Sequence, residues 1–205
     1  MFKLNYKTKK LNSFFIRAYF KAKFAPKPVQ DEVPGHLTLR EVIALKDTAR
    51  AFALRGIVVE IGSFMGKSSN CLAESISCGG GHLYCVDTWE NDAMPGGKID
   101  NYQEFLKNME KWESVYTPLR GKSSDIVKSW SKPIDYLWVD GDHSYKGCAE
   151  DIRNWFPFLK KKGWLCLHDY ANPCGVERAA QELLQGKIDK YFFVDSIFFG
   201  RKSMD

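Results

Sequence analysis

Asp140, Asp142 and His143 lie within four positions of one another, and His168 and Asp169 form a second acid–imidazole pair further along the chain. Carboxylates can hold a divalent cation or take a proton from a hydroxyl, and imidazole, titrating near ~6.5, can do either. Such a set suits chemistry that turns a substrate oxygen into a nucleophile. A third feature is the loop Glu60-Ile-Gly-Ser-Phe-Met-Gly-Lys-Ser68. Gly62 and Gly66 let backbone approach a ligand closely, and Ser68 and Ser69 sit where helix N-terminal amides face polar or negative groups. Asp87 follows at the distance where an acid grips ribose hydroxyls in nucleotide-binding α/β units, a spacing that suits adenosine.

The elements that must position these residues are apolar runs at 58–61, 82–86, 135–139 and 164–167, each followed at once by polar residues. Open α/β sheets bind ligands at the carboxyl ends of their strands, so one site collects all four termini. Helices are predicted between them. Thr38-x-x-Glu41 forms a capping box for a helix carrying Val42, Leu45, Ala49 and Phe52 and ending at Gly56. A second helix runs from about Gly66 to Ser77, before the glycines at 79–81. A third is centred on Tyr102, Phe105 and Met109. Cys148, Ile152, Trp155, Phe156 and Leu159 mark an amphipathic helix after His143, and Val176, Ala180, Leu183 and Leu184 mark the last. A short strand at 115–119 leads to Ser123 and Ser124, small polar residues at a helix start that could contact an adenine edge. Residues 88–100, with Pro95, Gly96 and Gly97, are expected to be a mobile loop beside the ligand edge. Apolar runs at 191–194 and 197–199 are close enough to be neighbouring antiparallel strands.

At 205 residues the chain fits one domain. The eight bases among residues 1–27 meet no acid there, and removing them from the net charge of +5 leaves the remainder at −3. A mildly acidic body argues against a nucleic-acid-binding face. The arm at 1–27 is rich in aromatics, and prolines after it place a domain boundary at residue 28. It reads as a peripheral membrane-surface helix, an oligomer-forming helix or a disordered tail, and its lack of acids also fits a transit peptide. Its longest apolar run, Phe14-Phe15-Ile16, is too short for a signal-peptide core or a membrane span. Six cysteines without a Cys-x-x-Cys pair, several on apolar periodic segments, suggest a reduced, cytoplasmic protein.

With these residues in view the chain resembles class I S-adenosylmethionine-dependent methyltransferases, most of all the small bacterial subfamily carrying Asp-Gly-x-His-x-Tyr and a later His-Asp. The matching stretches are the Glu60 to Ser68 loop, Cys85-Val-Asp-Thr-Trp89, Asp140-Gly-Asp-His-Ser-Tyr145 and Gly163-Trp-Leu-Cys-Leu-His-Asp-Tyr170. The resemblance implies an α/β, Rossmann-like fold, a seven-stranded mostly parallel sheet with helices on both faces and a C-terminal antiparallel hairpin. It implies S-adenosyl-L-methionine as cofactor, with Glu60 and Gly62 lining its methionine part, Asp87 on the ribose, and Ser123 and Ser124 by the adenine. Ser63, Phe64, Gly66, Ser68, Thr88, Trp89 and Asp140 complete the expected cofactor-binding set. By the same resemblance Asp140, His168 and Asp169 occupy the ligand positions of a divalent cation, Mg or Mn, although imidazole suits manganese, iron or zinc better than magnesium. The expected reaction is O-methylation of a sugar or other small polar metabolite, with Asp142, His143 and His168 as the catalytic candidates.

Blander readings use the same residues. Asp140 and Asp169 could cap helices, the histidines could be structural, and Trp89 could be packing. A metal-dependent hydrolase would need the Asp/His set but not the glycine loop, and a non-catalytic nucleotide-binding module would need the loop alone.

Overall fold

The computed structural model of the chain describes residues 33–90, 99–171 and 175–204. The arm at 1–27, the boundary at 28, the segment Pro95 to Gly97 and Cys174 lie outside the described residues.

Helix α1, Leu39–Arg50, starts where the capping box is complete: Thr38 Oγ1 accepts the Glu41 amide at 3.2 Å, and a Glu41 carboxylate oxygen accepts the Thr38 amide at 2.8 Å. The helix stops at Arg50, short of the expected Gly56. A turn follows, closed by the Gly56 amide donating to the Phe52 carbonyl at 3.1 Å. A Cβ on Gly56 would fall 2.3 Å from that carbonyl, so glycine serves the turn rather than the helix end.

Beyond it come β1 (Ile57–Ile61), α2 (Lys67–Ile76), β2 (His82–Asp87), α3 (Tyr102–Met109), β3 (Tyr116–Arg120), α4 (Ser123–Ile126) and β4 (Ile134–Val139). The chain continues through α5 (Tyr145–Trp155), β5 (Leu159–Leu167), α6 (Val176–Leu183), β6 (Ile188–Val194) and β7 (Ile197–Lys202). Leu159 opens β5 instead of closing the preceding helix. The sheet order is β3-β2-β1-β4-β5-β7-β6, parallel from β3 to β5 and antiparallel for the hairpin. The order reverses between β1 and β4, which opens a crevice at their carboxyl ends.

Alternation along each strand feeds two cores. Val58, Leu83, Tyr136, Trp138 and Phe199 pack with α1, α2 and α3 on one face. Val59, Val86, Leu137, Leu165 and Phe198 pack with α5 and α6 on the other. Strands buried on both sides read as continuous apolar runs, which is why they stood out in the sequence. No helix among the described residues is long and apolar enough to cross a membrane.

Candidate active site

Gly62, immediately after β1, has φ 86°, and a Cβ there would lie 2.2 Å from the Asp140 carbonyl oxygen. Only glycine lets the ends of β1 and β4 lie this close. The loop beyond it is pinned by Asp87 at the end of β2. One carboxylate oxygen accepts the Ser63 and Phe64 amides, both at 2.8 Å, and the other accepts the Trp89 amide at 2.8 Å. A carboxylate offers about four acceptor positions, so roughly one remains for a ligand. Phe64 (φ 46°) and Trp89 (φ 52°) are held in left-handed conformations at this edge, each costing on the order of 1–3 kcal/mol that the amide bonds to Asp87 offset.

The expected place of Glu60 along the cleft is corrected. Glu60 is fully buried beneath the loop and does not border the cleft. It accepts hydrogen bonds from the Ser63 hydroxyl at 2.8 Å and from the Ser69 hydroxyl, tying the loop to α2. Burial pushes its carboxyl up to about 7, against the pull of the Ser68, Ser69 and Ser63 hydrogen bonds. Trp89 borders the cleft, but its indole is 1% exposed, donates to the Phe64 carbonyl at 2.9 Å and packs on Tyr102 and Phe105, so the ring braces the loop. Gly66, the left-handed N-cap of α2, lies outside the lining like Glu60.

Over these elements opens a cleft of about 1000 Å³. It is bordered by Gly62, Ser63, Phe64, Ser68, Asp87, Thr88, Ser123 and Ser124 on one side, and by Asp140, Asp142, His143, His168 and Asp169 on the other. That volume is at the upper end of what small-molecule sites occupy.

Four ligand-capable groups, from Asp140, His143, His168 and Asp169, converge with one donor atom each inside 4.8 Å. His143 spans the two acids, Nε2 to Asp140 Oδ1 at 3.2 Å and Nδ1 to Asp169 Oδ2 at 3.1 Å. The hydrogen bond to Asp140 raises its pKa, against burial and with help from both carboxylates. His168 is 5% exposed, with Nδ1 3.0 Å from Asp140 Oδ1 and 3.4 Å from Asp169 Oδ2. Its N–H directions miss those oxygens, so the attraction is ionic rather than a directed hydrogen bond. Burial depresses its pKa, but Asp140, Asp169 and Glu41 outweigh burial and carry it up to about 12. The same contact holds Asp169 below the usual carboxylate range. Two carboxylates and two imidazoles this close, one imidazole without a directed partner, are a donor set that fits a divalent cation.

The cluster changes the candidate bases. Both nitrogens of His143 face carboxylates, and His168 is buried behind them. Asp142 is exposed at the rim, its oxygens accepting the Ser144 amide at 2.8 Å and the Ser144 hydroxyl at 3.0 Å. A Cβ on Gly147 would fall 2.4 Å from the Asp142 side chain, so glycine in the first turn of α5 makes room for this carboxylate.

On the far side the Ser123 hydroxyl donates to Asp151 at 2.5 Å. Asp151, 5% exposed, is a cleft residue that sequence reasoning missed, and burial pushes its carboxyl up to about 6 despite the Ser123 hydrogen bond. Its signal was present: Asp151 sits on the stripe defined by Cys148, Ile152 and Trp155, where a charge is out of place. Lys67 and His36 were also missed. Lys67 donates to the Gly35 carbonyl at 3.2 Å and holds residues 34–37 along the rim.

A family model described as a methyltransferase domain matches residues 59–170, the segment that contains every strand-end residue named above. The chain belongs to this methyltransferase family. Its fold is that of solved class I methyltransferases. A Podospora anserina methyltransferase bound to S-adenosylhomocysteine superposes with a TM-score of 0.70 at 14% identity, covering 100% of this chain and 99% of that one. A Bacillus cereus O-methyltransferase, also with S-adenosylhomocysteine, gives 0.68 at 14% identity over 92% and 97%. A TDP-rhamnose 3′-O-methyltransferase of calicheamicin biosynthesis gives 0.61 at 16% identity over 94% of each chain. Within the methyltransferase fold the cleft lies at the switch point between β1 and β4, where α/β sheets take nucleotide-like ligands.

Proposed function

We propose that this methyltransferase moves the methyl group of S-adenosylmethionine to a hydroxyl oxygen of a sugar or other small polar metabolite, with a divalent cation at the Asp140, His143, His168 and Asp169 cluster. The observation that carries the reading is the convergence of two sets of groups on one cleft. The Asp87-pinned loop forms one wall, and the acid–imidazole cluster stands opposite.

In this reading the remaining acceptor position of Asp87 takes a ribose hydroxyl, Gly62 and Ser63 lie along the methionine portion, and Ser123, Ser124 and Asp151 border the adenine. A cation at the cluster supplies Lewis-acid polarisation of the acceptor oxygen. Asp142, at the rim and free of the cluster, takes the hydroxyl proton. The rigid strand ends hold the acceptor oxygen in line with the methyl group, and most of the acceleration comes from that alignment and from excluding water. Carboxylates from Asp140, Asp142, Glu150, Asp151 and Asp169 line the cleft beside Lys67 and Lys122, a polar lining that suits a hydroxyl-rich acceptor. The sugar class is also the one named for the TDP-rhamnose methyltransferase of similar fold.

The test is transfer of label from methyl-labelled S-adenosylmethionine to a panel of sugars, nucleotide sugars and phenols, with and without Mn²⁺ after chelation. Label on oxygen, lost on chelation and restored by the ion, is the expected result. Transfer unaffected by rigorous chelation would remove the cation, and label found only on nitrogen would remove the acceptor class.

A further inference from the structure

Glu41 has a second task beyond capping α1. It is 1% exposed. Oε1 accepts the Ser196 amide at 2.9 Å and the Ser196 hydroxyl at 2.6 Å, in the turn between β6 and β7. Oε2 accepts the Thr38 amide and stands 3.9 Å from His168 Nε2. The carboxylate is therefore fixed by α1 and by the hairpin, independently of the cleft, and faces the back of the His168 ring. The front of that ring, Nδ1, faces Asp140 and Asp169. Neither ring nitrogen makes a directed hydrogen bond to the described residues.

A buried imidazole with a carboxylate behind one nitrogen and the Asp140–Asp169 pair before the other matches the way protein matrices hold histidine ligands. The outer carboxylate takes one N–H, which fixes the ring and its tautomer and leaves the other nitrogen's lone pair for the ion. A helix cap alone would need neither full burial nor this reach. We propose that Glu41 is a positioning residue that presents His168 Nδ1 to a divalent ion. Held this way, the imidazole, with His143, makes the site select Mn²⁺, Co²⁺ or Zn²⁺ over Mg²⁺. Magnesium demands hard oxygen ligands, whereas imidazole nitrogen suits the borderline transition ions. The inference rests on the cation-assisted reading above.

The experiment uses the full chain stripped of metal. Co²⁺ is titrated by visible absorption, Mn²⁺ by electron paramagnetic resonance, Mg²⁺ by competition, and S-adenosylhomocysteine by calorimetry. Wild type is expected to bind Co²⁺ and Mn²⁺ at least ~10-fold more tightly than Mg²⁺. Glu41→Gln should weaken Co²⁺ binding ~10–100-fold and change its absorption bands. Ser196→Ala, which removes one anchor of Glu41 but keeps its carboxylate and the Ser196 amide bond, should weaken Co²⁺ binding less than Glu41→Gln does, and S-adenosylhomocysteine affinity should be the same in all three. Glu41→Asp, which keeps the charge but withdraws it, covers the case in which the Gln variant does not fold, and should show intermediate Co²⁺ affinity.

Wild-type Co²⁺ affinity and spectrum in Glu41→Gln, or in Glu41→Asp where that variant stands in for it, would overturn the proposal. So would an equal loss in Ser196→Ala, or Mg²⁺ bound as tightly as Mn²⁺. A wild-type chain that binds S-adenosylhomocysteine but no transition ion would remove the cation from the proposed function as well. One that binds Co²⁺ but not S-adenosylhomocysteine would remove the cofactor and leave the role of Glu41 standing.

Discussion

Asp87 accepts the backbone amide of Ser63 at 2.8 Å, joining the end of β2 to the first turn beyond β1. With the Phe64 and Trp89 amides on the same carboxylate, this bond sets the shape of one wall of the cleft. Asp87→Ala should therefore do two things at once. It should lower unfolding free energy by about 2–4 kcal/mol, since each charge-assisted bond contributes ~1.5–3 kcal/mol and relaxation recovers part of that. It should also weaken S-adenosylhomocysteine at least ~10-fold, a loss of ~1.4 kcal/mol or more. Denaturant titration and calorimetry on the same protein check both, and loss of affinity with unchanged stability would mean that the amide bonds contribute little.

Gly62→Ala places a Cβ against the Asp140 carbonyl in a left-handed backbone. The ends of β1 and β4 must separate, so we expect destabilisation of roughly 2–4 kcal/mol together with weaker divalent-ion binding, because Asp140 moves with its strand. Chemical denaturation and Mn²⁺ titration are the checks.

Gly147→Ala tests the place of Asp142. In a helix, alanine is favoured over glycine by up to ~1 kcal/mol, but here the new methyl overlaps Asp142 from its Cβ to its carboxylate, so the loop after β4 must shift. The melting temperature should fall and turnover should drop ~10–100-fold, the typical lower range for a displaced general base. A folded Gly147→Ala variant with wild-type turnover would remove Asp142 from the proton-transfer role.

Glu60 predicts a pH dependence of stability. Its carboxyl, pushed by burial from 4.5 to about 7, binds its proton more tightly folded than unfolded. Stability is therefore lost as pH rises through that window, by at most about 3 kcal/mol. Glu60→Gln retains an acceptor for Ser63 and Ser69 and lacks the titration. Between pH 5 and pH 8 the wild type should lose ground to the variant, as measured by denaturant midpoints. A constant difference across that range would show that Glu60 stays ionised when buried.

The strand ends were legible in the sequence because parallel strands covered on both faces are apolar throughout, so Asp87, Asp140 and the His168–Asp169 pair stand out where each run stops. The loop glycines were legible for a similar reason, as small residues between a strand and a helix. What the sequence hid was direction. Val58 and Glu60 share one face of β1, which turns Glu60 toward α2 instead of the cleft, and that alternation was available but outweighed by its place in the loop motif. Glu41 satisfied a capping box so completely that nothing in one dimension suggested its approach to His168, 127 residues away. His143 read as a base, yet the parallel pairing of β4 with β5 brings Asp169 to its second nitrogen, a contact that only the folded sheet creates.

The central claim is that the crevice over β1, β2 and β4 receives a sulfonium nucleoside or its demethylated product. Isothermal calorimetry of the full chain with S-adenosylhomocysteine tests it without knowledge of the acceptor. One saturable site per chain at micromolar concentration is the expected result. No heat of binding at millimolar ligand, from protein shown to be folded, would contradict it.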